Sequence, residues 1–391
     1  MFDKIIFEQV LSRIPIGAIK VVYPDKTEKI FGKGDLYTTL TINDPKAISE
    51  IVHKLDLGFG EAYTEGRVSI PDNELVRFVD LSNENMDLFI GKFGKKMNYK
   101  FNVNAKKNQK QQIQSHYDLG NDFYKLWLDD TMTYTCAYFK TPQDTLEEAQ
   151  RQKIDHVLKK LQLKKGQEFV DIGCGWGYLV VKAAKEYKAR GLGVTLSKEQ
   201  YEFAKDLAKK EGVEDLVEFR NINYQDLLSS SKKYDRVISV GIFEHIGKGN
   251  HREYFSVVDK LLNPGGISVL HTISQQTEAD TPAWIDKYVF PGGYIPSLRE
   301  IIMLFPDYRM RVIDFENLRP HYALTLREWL KRFEIHVPQI TKMYDENFIR
   351  MWRLYLAGSI SSFETGNNQL SQIVFTKGIN NDIPLTREYM N

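Results

Sequence analysis

The chain has 391 residues, 42% hydrophobic, 12% aromatic and 27% charged, with a mean hydropathy of −0.40. Its 53 Lys and Arg against 52 Asp and Glu leave a formal charge of +1, which excludes a global basic field for nucleic acid, and the aromatic content excludes disorder. Only two cysteines, Cys136 and Cys174, argue against a disulfide scaffold, and no apolar run reaches the roughly 20 residues that span a bilayer, so a cytoplasmic protein is expected.

Apolar residues Phe2, Ile5, Ile6, Val10 and Ile14 recur at helical spacing. The runs AIKVVY and KIFG flank the turn PDKT as strands, and LYTTLTI predicts a third. DPKAISEIVHKL reads as a capped helix and PDNELVRFVDLS as another with Pro at its start. Residues 1–91 are therefore expected to form a small α+β domain, an accessory module with no catalytic signature. Residues 92–112 hold seven lysines and no acid. They read as a solvated linker or as a patch for anionic lipid.

Residues 113–391 are assigned to a catalytic domain. EFVDI, GLGVTL, VEFRNI, DRVISV and ISVLHTI are strand-length apolar runs, separated mostly by helical stretches such as YLVVKAAKEY, KEQYEFAKDLAKKEG and HREYFSVVDKLL. Continuous apolar strands alternating with helices predict an α/β fold with a parallel sheet covered on both faces and ligands at the carboxyl ends of its strands. The first strand runs into Gly173-Cys174-Gly175-Trp176-Gly177, a spacing of GxGxG with Asp171 two residues ahead. The second strand ends in Thr195-Leu196-Ser197, without the acid that grips an NAD ribose. A nucleoside without a pyrophosphate, such as S-adenosylmethionine, suits this pattern better than a dinucleotide.

DIGCGWG, TLSKEQ, SVGIFEHIG and LNPGG resemble the S-adenosylmethionine-dependent methyltransferases, and more narrowly the cyclopropane-fatty-acyl-phospholipid synthase family. The segments QSHYDLGNDFYKLWLDDTMTYTCAYF, WIDKYVFPGGYIPS and RPHYALTLREWL extend the resemblance over nearly all of residues 113–378. It implies a Rossmann-like class I methyltransferase fold and a set of cofactor contacts. Tyr134 and Thr135 would reach the methionine part. Phe169, Val170, Asp171, Ile172, Gly173, Cys174, Gly175, Trp176 and Gly177 would form the glycine loop. Thr195, Leu196, Ser197, Lys198, Glu199 and Gln200 would lie beside the ribose and adenine, with Ser197 and Gln200 as neutral ribose partners, and Tyr224 and Gln225 would flank the adenine.

The implied activity is transfer of a methylene group from S-adenosylmethionine to the cis double bond of an unsaturated acyl chain in a membrane phospholipid. A carbocation on the chain must then lose a proton, which asks for aromatic faces, little water and a placed base. By resemblance, Cys136, Glu244, His271, Tyr322 and the backbone of Ile273 hold a bicarbonate ion that serves as this base. Read alone, Cys136 is a small buried hydrophobe and His271 a core histidine as readily as a site residue; His245 is expected to be structural. The stretch Trp284, Tyr288, Phe290 and Tyr294 reads as an aromatic lid. Ser359 stands where many members carry cysteine and is given no catalytic role. The resemblance further implies peripheral association with the inner face of the membrane and a homodimer. The alternatives are a sister enzyme giving branched or hydroxylated chains, and a non-catalytic lipid-binding protein.

Overall fold

A computed structural model describes residues 2–85 and 119–390; the lysine-rich stretch 92–112 and the first residues of the entrance segment lie outside the described residues. The described chain divides into two compact units, one built from 2–85, 281–289 and 326–367, the other from 119–280, 290–325 and 368–390.

In the first unit, strands β1 (Gly17–Val22), β2 (Glu28–Lys33), β3 (Leu36–Ile42) and β4 (Val68–Ser69) form a sheet of order β2-β1-β3-β4. The PDKT turn joins β1 and β2 as an antiparallel hairpin, and β1 pairs in parallel with β3. The expected helices appear at Phe2–Leu11, Lys46–Thr64 and Leu75–Glu84. Asp44 starts the second by accepting from the Lys46 N–H at 2.9 Å. That helix is interrupted at Leu55, whose φ of 50° places it outside helical space. The short helix Ala283–Tyr288 packs here too: the Asp56 carboxylate accepts from the Trp284 N–H at 3.1 Å and Trp284 is buried. The aromatic stretch expected as one lid is thus split, with Trp284 and Tyr288 in the first unit and Phe290 and Tyr294 in the second.

The second unit is a seven-stranded sheet. Its strands are β5 (Glu168–Ile172), β6 (Arg190–Thr195), β7 (Val217–Asn221), β8 (Tyr234–Val240), β9 (Leu262–Gln275), β10 (Met310–Asn317) and β11 (Asn368–Lys377), in the order β10-β11-β9-β8-β5-β6-β7. Pairing is parallel from β7 through β9, and β11 runs antiparallel to both its neighbours. This is the Rossmann-like arrangement expected, extended by two strands. Successive side chains alternate between two core layers, as the pleat requires: Val170, Val237 and Leu270 enter one, Phe169, Ile238 and Val269 the other. The order reverses between β6 and β8 on either side of β5, which opens a crevice at the carboxyl ends of these strands.

Candidate active site

β5 ends at Ile172 and the chain turns sharply through the glycines. The N–H groups of Gly173 and Cys174 both donate to the Val194 carbonyl, at 2.9 and 3.0 Å, tying the turn to β6. Gly173 has φ +84°, and a Cβ there would lie 2.0 Å from Ile242 Cγ1, so only glycine lets the loop after β8 approach. Gly175 has φ +53°, and a Cβ there would meet nothing within 4 Å; the turn is open on that side.

The open side faces a cleft. Of the residues expected to contact a cofactor, Tyr134, Thr135, Asp171, Ile172, Gly173, Cys174, Gly175, Trp176, Thr195, Leu196, Gln200 and Tyr224 line it. Phe169 and Val170 instead face the two core layers, and Gly177, Ser197, Lys198, Glu199 and Gln225 lie off the cleft wall. Their partners account for several of these placements. Ser197 caps the helix Lys198–Lys210, its hydroxyl accepting from the Gln200 N–H at 3.3 Å. Glu199 accepts from the Asn121 N–H at 3.1 Å, and the Gln225 amide donates to Glu253. Gln200 reaches the cleft, where its amide oxygen accepts from the Thr195 hydroxyl at 2.7 Å.

The entrance segment is braced against the glycine turn by aromatic rings. Tyr124 meets Trp176 edge-on at 5.3 Å and lies 5.5 Å from Tyr134, and the Trp176 indole donates to Asn121 Oδ1 at 2.7 Å. From the other side, the helix Leu146–Lys160 holds the same segment. Gln150 Nε2 donates to the Thr133 and Thr135 carbonyls at 3.2 and 2.8 Å, and Lys153 Nζ donates to the Thr135 hydroxyl at 2.8 Å.

A second group of buried polar residues adjoins the cleft through the chain itself: Cys136 follows Thr135, and Glu244 stands two residues past Ile242. Glu244 is buried after β8, accepting from the Thr272 hydroxyl at 2.8 Å and from the Ile273 N–H at 3.3 Å. Burial pushes its carboxyl up to about 7, against these hydrogen bonds. The His271 ring is held at Nδ1 by the Gln372 amide at 3.1 Å, which leaves the proton on Nε2, buried and without a partner among the described residues. Burial holds that ring far below the usual imidazole range, so it is neutral. The Cys136 thiol, pushed up by burial, donates to the Ala137 carbonyl at 3.1 Å and lies 3.9 Å from the Leu318 carbonyl. The Leu318 N–H donates to Leu370 on β11, Leu370 pairs with Ile273 on β9, and the Tyr322 N–H donates back to the Leu318 carbonyl. Bonds to the backbone thus link the β9–β11 pair to the segments that carry Cys136 and Tyr322, while Glu244 bonds to β9 directly. Tyr294 joins them by donating its N–H to the Glu244 carbonyl at 2.9 Å, and His245 rests on Phe290, with ring centres 4.9 Å apart. Ser359 lies in the helix Glu346–Glu364 of the first unit.

Sequence reasoning missed Lys153, Thr272 and Gln372. A signal existed for the last two, which are polar residues inside the otherwise apolar strands LHTIS and QLSQIVF. Gln150, Lys153 and Val157 fall on one stripe of their helix, so a glutamine and a lysine continue a buried face.

Comparison with known proteins gives a consistent result. Residues 104–373 match the family described as mycolic acid cyclopropane synthetase, and residues 6–93 match a domain of unknown function. The probable fatty acid methyltransferase of Pseudomonas putida is 36% identical over 90% of this chain and 91% of its own. The cyclopropane-fatty-acyl-phospholipid synthase of Escherichia coli K12 is 36% identical over 90% and 92%. Among solved structures, mycolic acid cyclopropane synthase CmaA1, complexed with SAH and CTAB, superposes with a TM-score of 0.64 at 31% identity, covering 68% of this chain and 98% of that one.

Proposed function

The chain belongs to the mycolic acid cyclopropane synthetase family, and from this we propose that it transfers a methylene group from S-adenosylmethionine to the cis double bond of an unsaturated acyl chain in a membrane phospholipid, closing a cyclopropane ring. The observation that supports the reading is an open glycine-turn cleft whose wall residues Val240 and Ile242 lie, by strand pairing and by sequence, next to a buried His271, whose Nε2 has no partner among the described residues, and a buried Glu244. When bound, S-adenosylmethionine supplies an electrophilic methyl group. The cleft suits it: Gly175 leaves space for close backbone approach, and Thr195 and Gln200 offer neutral polar groups where a ribose would lie.

This chain's own residues then have three tasks. Tyr134, Trp176 and Tyr224 line the cleft with aromatic faces that stabilise nearby positive charge. The buried walls exclude water, which would otherwise trap a cation on the acyl chain. The polar group beside the cleft holds the base. We assign Cys136, Glu244, His271, Tyr322 and the Ile273 N–H to a bicarbonate ion that would accept the proton. His271 suits it through its partnerless Nε2–H, and Glu244 through a carboxyl that accepts from a bicarbonate hydroxyl. The Ile273 N–H and Thr272 hydroxyl keep Glu244 aimed.

With labelled methyl donor and unsaturated phospholipid vesicles, label should enter the acyl chains; label found only in headgroups, or none transferred, contradicts the reading. Among the described residues no helix is long and apolar enough to cross a membrane, so we assign peripheral binding, with the lysines of 92–112 on anionic lipid. Each lysine near such a surface contributes about 1 kcal/mol, screened by salt. Vesicle cosedimentation should therefore weaken with salt and fall when the seven lysines become Gln; salt-insensitive binding by that variant contradicts the electrostatic contribution. A homodimer is the assembly we expect from the family.

A further inference from the structure

Two buried lysines stand on one face of the helix Leu146–Lys160, and they differ in one respect. Lys160 and Lys153 are each 1% exposed. Lys160 meets its counter-charges directly, with Nζ 2.5 Å from Glu316 and 3.7 Å from Asp314. Lys153 lines the cleft and, among the described residues, makes no ion pair within 4.0 Å; Thr135 Oγ1 takes one of its three protons. Asp171 lines the same cleft with a buried Oδ1 that receives no hydrogen bond among the described residues. Asp129, the other acid nearby, is already occupied by the Thr131 and Thr133 N–H groups at 2.9 and 3.2 Å.

A buried charge without a partner is costly, and a packed protein ordinarily meets it as it meets Lys160. Lys153 and Asp171 therefore set a buried amine and a buried carboxyl, the latter raised by burial to about 7, apart in one cleft, where the two ends of an amino acid could meet them. Burial lowers the Lys153 ammonium to about 8, with Cys136, Asp129 and Asp171 opposing that shift. We propose that Lys153 anchors the amino-acid tail of the cofactor, its ammonium binding the tail's carboxylate beside Thr135. This rests on the cofactor assigned above and adds a positioning residue that fixes the tail, and with it the direction in which the reactive methyl points.

The test compares S-adenosylhomocysteine with its decarboxylated analogue by calorimetry, without lipid. Wild-type protein should prefer the carboxylate-bearing ligand by about 10–100-fold, the range for a hydrogen bond to a charged group. Lys153→Met should bind the decarboxylated ligand about as wild type does and lose the preference, and Lys153→Arg should retain it. A preference that survives in Lys153→Met, or an equal loss for both ligands, overturns the proposal. Should that variant fail to fold, Lys153→Gln is read the same way, and absence of any preference in the wild type overturns the proposal by itself. Wild-type protein that binds neither ligand overturns the cofactor assignment as well, whereas preference without lipid methylation supports Lys153 and removes only the lipid reaction.

Discussion

Replacing Glu244 by Gln is expected to lower turnover by about 10²–10⁴-fold, the usual contribution of a placed base, because the ion that Glu244 is proposed to hold loses its anchor, while S-adenosylhomocysteine affinity is unchanged. Glu244 belongs to the proposed base site and does not line the cleft. The same substitution should alter stability in a direction set by its titration. The carboxyl sits near 7 in the folded chain against an ordinary 4.5, so the native state holds this proton more tightly than the unfolded state does. The burial cost is absent below pH 4.5, grows as pH rises, and reaches about 3 kcal/mol above pH 7. Relative to wild type, Glu244→Gln should therefore gain stability between pH 5 and pH 8, read as the shift in urea midpoint. A variant that keeps full turnover, or whose relative stability falls over that range, contradicts the assignment.

The glycine turn gives the second large effect. Gly173→Ala places a methyl 2.0 Å from Ile242 Cγ1 at φ +84°, so both strain and overpacking oppose it, for about 2–5 kcal/mol together. That is a substantial part of the stability of an ordinary domain. Gly175→Ala meets no atom within 4 Å and adds only backbone strain at φ +53°, about 1–2 kcal/mol. Its methyl projects toward the open side of the turn. Cofactor affinity should then fall by tenfold or more, equivalent to about 1.4 kcal/mol, in a protein that still folds. Equal stability losses in the two variants, or undiminished binding by Gly175→Ala, contradict the placement of the cofactor against this turn.

Strands β5 to β9 and the glycine turn were legible because near-continuous apolar runs alternate with amphipathic helices and the turn punctuates them. β10 and β11 were not. β11 buries Ser371, Gln372 and Thr376, which interrupt its apolar run, and Ser371 is satisfied only across the sheet, by Ser274 at 2.7 Å. The positive φ of Leu55 has no glycine at that position to announce it. Among candidate site residues, motif spacing pointed to cleft-lining residues on the turn and also to Ser197 and Glu199, which lie off the cleft wall. Cap and cross-chain bonds decide where those two point. Lys153 escaped because a lysine on a helix reads as a solvated residue until the buried Gln150 one turn earlier is read with it. That the stretch from Trp284 to Tyr294 divides between the two units was not legible, because it turns on Asp56, far away in sequence, accepting from the Trp284 N–H.

The most direct test of the lipid reaction is mass spectrometry of the acyl chains after purified protein is incubated with S-adenosylmethionine and unsaturated phospholipid vesicles, before and after catalytic hydrogenation. Acyl chains heavier by one CH2 that resist hydrogenation, as a ring does and an alkene does not, are the predicted result. A gain of CH2 in a branched or still-unsaturated chain, or no gain from a protein that binds the cofactor, would contradict it.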